Sequence, residues 1–287
     1  MIDPQTIALT FDRSADVSKL KGCNTRGIAY RWEIFAKYLS GVSIGASVLD
    51  FGAGSLRESF DLVQRGFRVT SIDVDGEALS TYRKKYNWPA DAQHQIIAHS
   101  DLSAAASELG DRRFELIICF DVLEHLADPV SSLRELSSRL HDRGLMFVSV
   151  PNGRTLFEIA FRIDLFIAQT TGRPVRPGEP HLQRHSPRKW RRLVADAGLS
   201  ILDHDMQIGF FANTAAALIQ LPLTLGGRIA RRLGIQNNAV GLSERIIDRG
   251  PQANILHFLD QHTKPLFGGL YGWNLLVLSK RAFDQCR

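Results

Sequence analysis

The sequence predicts an α/β protein built on a doubly wound, mainly parallel sheet that carries a helical lid or insertion. Three observations lead there. A short apolar strand breaks into a glycine turn and opens a helix in Ala46-Ser-Val-Leu-Asp-Phe-Gly-Ala-Gly-Ser-Leu56. Five strand–helix alternations follow one another in order from that point. One strand, Phe114-Glu-Leu-Ile-Ile-Cys-Phe120, is a nearly continuous apolar run, as a parallel strand buried on both faces requires.

Composition sets the bounds. A chain of 287 residues fits one large domain, or a core with a modest appendage. Hydrophobic content of 44% and charged content of 23% are ordinary for a soluble globular protein. No cationic leader with a cleavage site and no apolar run of about eighteen residues is present, so neither a secretion signal nor a spanning helix is expected. Cys23, Cys119 and Cys286 are odd in number and far apart, which points to reduced cytoplasm, and Cys119 falls inside an apolar strand as a core residue. A net charge of +5 is a mild bias toward anionic partners and no nucleic-acid signature.

Taken in order, residues 1–20 show no strong period. From Asn24, the positions Ile28, Trp32, Ile34, Phe35, Tyr38 and Leu39 suit one face of an amphipathic helix ending near Gly41. Residues 1–45 are thus assigned as a helical cap, whose aromatics either cover a ligand or simply pack on the sheet. Residues 46–211 form the core. There Val48-Leu49 ends in Asp50, and Gly52 and Gly54 follow at alternate positions, leaving no Cβ in the way of a ligand at the carboxyl end of the strand. A dinucleotide fingerprint would need its third glycine where Arg57 stands, so that reading fails.

At these residues the sequence resembles the class I S-adenosylmethionine-dependent methyltransferases, whose first motif is an acid-x-Gly-x-Gly-x-Gly turn. Asp50, Gly52 and Gly54 match it, and Leu56 replaces the last glycine. The resemblance implies a Rossmann-like methyltransferase fold and S-adenosylmethionine as cofactor, held in part by Asp50, Gly52 and Gly54.

Phe67 to Asp73 reads as the second strand and Glu77 to Tyr86 as the helix after it. Asp73 closes its strand 23 residues after Asp50. An acid about 20 residues on can accept both hydrogen bonds of a ribose diol; capping the next helix is the alternative, with Asp75 next in line for the ribose. His94 to Ala98 is the third strand. In the resembled family an acid or amide beyond it lies near the adenine amino group, which makes Asp101 a candidate; it serves equally as a helix N-cap. Phe114 to Phe120 ends in Asp121-Val-Leu-Glu-His125, and Pro129 suits the first turn of a helix reaching Leu140. Gly144 to Val150 is the fifth strand, stopped by Pro151-Asn152-Gly153.

The motif order, Asp121-Val-Leu-Glu-His125, then Pro151-Asn152, then His185-Ser-Pro-Arg-Lys-Trp190, is similar to that of ubiquinone-pathway O-methyltransferases over roughly residues 46–209. Beyond strand five, Leu156 to Ile167 forms a very apolar helix and Thr170 to Pro180 is turn chemistry throughout, placed where a lid over an acceptor is needed. Pro187 to Ala197 is a helix stopped by Gly198, and Leu199 to Ile208 is a strand. Residues 212–269 are assigned as a helical insertion that closes over the acceptor. Residues 270–287 hold the last strand, Gly272 to Ser279, which brings the count to seven. In the resembled family the final two strands form an antiparallel hairpin at one sheet edge.

Methyl transfer from a sulfonium is a direct displacement, so the protein has to position the acceptor, exclude water and remove a proton from a hydroxyl. His125, His181 and His185 are the candidate bases, against the alternative of hydrogen-bonded structural histidines. Asp121, Glu124 and His125 also have the i, i+3, i+4 spacing that would gather ligands on one helical turn, with His185 as a fourth. This is similar to the Glu-x-x-Glu-His metal motif of small-RNA 2′-O-methyltransferases and ubiquinone O-methyltransferases, with Asp121 replacing the first Glu. A divalent metal is therefore an open alternative.

Arg184, Arg188, Lys189, Arg191 and Arg192 cluster around one short helix, as a solvated face or an anion site. Ala215 to Leu225 followed by Arg228, Arg231 and Arg232 is a basic amphipathic pattern compatible with peripheral membrane contact, and equally with core packing. The leading expectation is O-methylation of a small, hydrophobic or lipid-like acceptor. The alternatives are a phosphate-bearing substrate such as an RNA end, disfavoured by the lack of an aromatic-rich RNA module, and a cofactor-binding partner protein without catalysis.

Overall fold

The computed structural model describes residues 38–39, 41–99, 107–171, 181–207, 209–211, 271 and 273–280, with isolated helical positions at 104 and between 214 and 266. Asp101, the cap helix before Tyr38, the turn-rich stretch 172–180 and Arg228, Arg231 and Arg232 lie outside the described residues, as does most of the insertion.

Seven strands form one sheet. They are β1 (Ser47–Phe51), β2 (Arg68–Asp73), β3 (His94–Ala98), β4 (Phe114–Phe120), β5 (Leu140–Pro151), β6 (Leu199–Gln207) and β7 (Trp273–Lys280), in the spatial order β3-β2-β1-β4-β5-β7-β6. β1 pairs in parallel with β2 and β4, β2 with β3, and β4 with β5. β7 runs antiparallel to both β5 and β6. Chain order reverses between β1 and β4, and the crevice at the carboxyl ends of the strands beside such a switch point is where an open α/β sheet takes its ligand.

Alternation along the central strands explains the core. Leu49, Ile117, Cys119, Met146, Val148, Leu276 and Leu278 enter one apolar cluster, while Val48, Leu116, Ile118, Phe147, Leu275 and Val277 enter a second. Successive side chains point to opposite faces, and both faces are buried, which is why β4 has no polar alternation. Cys119 is fully buried, and burial keeps its thiol protonated well above the ordinary range.

Five helices are described: α1 (Arg57–Gln64), α2 (Gly76–Lys85), α3 (Pro129–Arg139), α4 (Leu156–Thr171) and α5 (Pro187–Asp196). Leu133 and Leu136 of α3 and Trp190, Leu193 and Val194 of α5 join the first cluster; Leu62 and Val63 of α1 join the second. The starts are set by caps. The Asp75 carboxylate accepts from Ala78 N, that of Asp128 from Val130 N and Ser131 N ahead of Pro129, and the Ser186 hydroxyl from Lys189 N ahead of Pro187. Trp190 is 1% exposed, and its Nε1–H donates to Pro151 O at 3.1 Å, tying α5 to the end of β5.

Candidate active site

The site lies where β1 and β4 end side by side, and its first half is the glycine turn. Gly52 N and Ala53 N both donate to Ile72 O, at 2.8 and 2.9 Å, and Gly54 N donates to Asp73 Oδ2 at 2.7 Å. The turn's amides are thus spent inside the protein, and the glycines act by leaving room. A Cβ on Gly52 would stand 2.1 Å from Val122 Cγ2, and the residue has φ of +80°. Leu56, at the position where the resembled family has glycine, keeps the left-handed backbone with φ of 55°.

Asp73 closes β2 with one oxygen on Gly54 N and the other on Asp75 N at 2.9 Å, so it braces the turn. Asp75, the alternative ribose acid, caps α2 by accepting from Ala78 N at 2.8 Å. Asp50 is 5% exposed at the carboxyl end of β1, and its carboxylate accepts from Ser59 Oγ. Burial first, then the nearby Glu58 carboxylate, pushes its pKa up to about 8. An acid, a gap without side chains and a second carboxylate at the neighbouring strand end fit a cofactor with a cationic amino-acid end and a hydroxylated sugar.

The second half gathers at the end of β4. Asp121 departs from the expected helical turn: it takes a left-handed conformation with φ of 57°, and its carboxylate accepts from Ser149 Oγ at 2.7 Å. Only Leu123–His125 then form a turn, of the tight 3-10 kind, so the i, i+3, i+4 geometry that would stack Asp121 with Glu124 and His125 does not arise. Glu124 is 1% exposed, and its Oε1 is 4.0 Å from His125 Nε2.

The structure separates the two later histidines. His181 lies edge-on to His125 with ring centroids 5.0 Å apart, and its Nδ1 is 2.8 Å from Oε1 of Glu158, a buried carboxylate on α4. Arg184 Nε lies 3.6 Å from the other Glu158 oxygen. His185 instead packs against Trp190 at 5.1 Å, its carbonyl accepting from Gly153 N at 3.0 Å, and burial, then Lys189, lowers its pKa. The backbone of His185 thus holds the loop after β5 in place, and its ring faces Trp190. Glu124, His125 and His181 offer ligand atoms within 4.8 Å of one another, a donor set that fits a divalent cation, with His181 in the place expected of His185 and without Asp121.

Gln183 makes this convergence, and the sequence reading passed over it. Its backbone N donates to Glu124 O at 2.9 Å, and its side-chain amide donates to Leu126 O and Ala127 O at 3.0 and 3.1 Å. Those bonds hold the 181–185 segment against the turn after β4. Glu158 was legible in principle, as the one carboxylate in the apolar run Leu156-Phe-Glu-Ile-Ala-Phe. No helix among the described residues is long and apolar enough to cross a membrane.

The family described as "Methyltransferase domain" matches residues 26–204. The chain is 29% identical over 160 residues to a ubiquinone biosynthesis O-methyltransferase of Xanthomonas axonopodis pv. citri, covering 55% of this chain and 64% of that protein. It is 31% identical over 114 residues to the Aeromonas salmonicida protein of the same name, covering 39% of this chain and 46% of that one. The chain therefore spans less than two thirds of the length of these curated relatives. Among solved structures, coclaurine N-methyltransferase superposes with a TM-score of 0.52 at 15% identity, over 88% of this chain and 70% of that one, a likeness of fold. With the matched region exceeding half its length and the sheet closing in the order β3-β2-β1-β4-β5-β7-β6, the chain belongs to the class I methyltransferase-domain family.

Proposed function

We propose that this protein transfers the methyl group of S-adenosylmethionine to an oxygen of a small, apolar acceptor. The observation that carries the reading is the meeting of His125 and His181, backed by the buried carboxylates of Glu124 and Glu158, one turn beyond the glycine pocket. Val122 touches the space kept open by Gly52, and His125 follows three residues later, so the cofactor pocket and the histidine pair share one wall.

In this reading Gly52 and Gly54 leave space for the cofactor, Asp73 faces its ribose, and Asp50 faces its amino-acid end. The acceptor oxygen attacks the methyl carbon in line, the carbon–sulfur bond breaks to leave a neutral thioether, and a histidine takes the hydroxyl proton. Glu158 Oε1, 2.8 Å from His181 Nδ1, would pair with the imidazolium that forms when His181 takes the proton. Glu124, His125 and His181 would also hold a divalent cation, which would supply Lewis-acid polarisation of the acceptor hydroxyl. Acceptor apolarity is supported by Leu156, Ile159, Ile163 and Phe166, an exposed stripe on α4, the helix that contributes Glu158. Oxygen as the acceptor atom is supported by the two bacterial relatives, which are named as O-methyltransferases.

The test is turnover of methyl-labelled S-adenosylmethionine with the single variants His125→Ala and His181→Ala. Each should lower turnover by roughly 10²–10⁴-fold while calorimetric affinity for S-adenosylhomocysteine stays within a few-fold of wild type. Wild-type turnover in both variants would assign the pair to structure. Loss of wild-type activity on chelation, restored by magnesium or manganese, would identify the cation form of the mechanism.

A further inference from the structure

Behind the glycine turn, a file of polar side chains crosses the interface between α1 and the sheet. Ser59 and Ser71 are fully buried beside Asp50. Ser59 Oγ contacts Asp50 Oδ2, Ser71 Oγ lies 2.6 Å from Ser59 Oγ, and His94 Nε2 lies 2.7 Å from Ser71 Oγ. Arg83 of α2 closes the file by contacting His94 Nδ1. Trp88 holds the outer end together. Its ring stacks on His94 at 4.4 Å with Arg83 4.5 Å above it, and its Nε1–H donates to Arg83 O at 2.9 Å.

The file has only one consistent direction. A guanidinium can only donate, so His94 Nδ1 accepts and its ring proton sits on Nε2. That proton is donated to Ser71, whose single hydroxyl proton must then go to Ser59, and that of Ser59 goes to Asp50. Every link thus points from the Arg83 cation toward the Asp50 carboxylate. Such chains polarise one another in a low-dielectric interior.

We infer that Arg83 and His94 are positioning residues for the cofactor: through Ser71 and Ser59 they hold Asp50 as an oriented acceptor and favour its charged form. The role toward the cofactor rests on the proposed methyl-transfer reading; the effect on Asp50 does not. The other groups around Asp50 divide by sign. Glu58 of α1 and Asp73 of β2 oppose its charge, Arg57 of α1 favours it, and the Cys119 thiol of β4 is kept neutral by burial. Burial raises Asp50 to about 8, so near neutral pH small influences decide how much of it is ionised. His94 is held down to about 4 by burial and by Arg83, so across the neutral range it stays uncharged and able to relay.

Two titrations on the intact protein test this, with Arg83→Met, His94→Phe and Ser71→Ala as variants. Arg83 is on the partly exposed face of α2, so that variant is expected to fold even if Ser71→Ala does not. The first titration follows the infrared band of the protonated Asp50 carboxyl, assigned with Asp50→Asn. Its midpoint should move up by about one pH unit when the file is cut. The second follows S-adenosylhomocysteine affinity from pH 6 to 9. The variants should bind about tenfold more weakly below the wild-type midpoint and come within about twofold of wild type at about pH 9. An unmoved infrared midpoint, or an affinity loss that is uniform in pH, would overturn the inference. If S-adenosylhomocysteine binds nowhere in that range the cofactor reading fails, and the infrared midpoint alone decides the effect on Asp50.

Discussion

Gly52 is held by two independent constraints. Its φ of +80° is costly for any residue with a Cβ, and that Cβ would overlap a Val122 methyl at 2.1 Å. Strain of about 1–3 kcal/mol and overpacking of about 1–3 kcal/mol add at this one atom. Gly52→Ala should therefore lose roughly 2–6 kcal/mol in urea denaturation and most of its cofactor affinity; wild-type stability would show that Val122 moves freely. Leu56 resolves the other way. A left-handed backbone costs a non-glycine residue about 1–2 kcal/mol. Full burial of a leucine returns about 1.5–3 kcal/mol, and Leu56 is completely buried against Ala53 and Leu79. Burial at least matches the strain, which is how leucine stands where the family's turn has glycine without altering the turn.

At the scale of elements, the site depends on one segment pinned by another. Residues 181–185 lead into α5, and Gln183 anchors them to the end of β4 by three hydrogen bonds, two of them from its side chain. Gln183→Ala keeps the backbone bond and removes those two. Each is worth about 0.5–1.5 kcal/mol net, so stability should fall by roughly 1–3 kcal/mol. Turnover should fall with it, because His181 loses its register against His125, while S-adenosylhomocysteine affinity is retained. Turnover unchanged in a variant with the expected stability loss would show that Glu158 alone positions His181. The limit of the sequence is visible here. The spacing of Asp121, Glu124 and His125 suggested one helical turn, yet the left-handed Asp121 and the 3-10 turn after it break that register. Histidines 181 and 185 were indistinguishable in sequence because both lie near the end of the lid. Their roles are set by contacts with Glu158 and Trp190, on other helices or distant in the helix face, which no local pattern contains.

Over the whole molecule, legibility follows locality. The strands, the caps at Asp75, Asp128 and Ser186, and the glycine turn are decided within a few residues, and the order of elements then leaves a seven-stranded sheet with its switch point between β1 and β4. The Asp50–Ser59–Ser71–His94–Arg83 file spans two strands and two helices plus β1, and only the packed sheet brings it together. The proposed site lies at the carboxyl edge for the same topological reason. The central claim is that this edge carries methyl transfer from S-adenosylmethionine to an apolar acceptor with the histidine pair as its acid–base machinery. Its most direct test incubates the protein and His181→Ala with methyl-labelled S-adenosylmethionine and a fractionated metabolite extract, and counts label after partition into organic solvent. The account predicts label in the organic phase with wild-type protein, released as methanol-type products only on ether or ester cleavage, and at least a hundredfold less with His181→Ala. Label that remains on the cofactor in every fraction, or transfer that His181→Ala leaves intact, would contradict it.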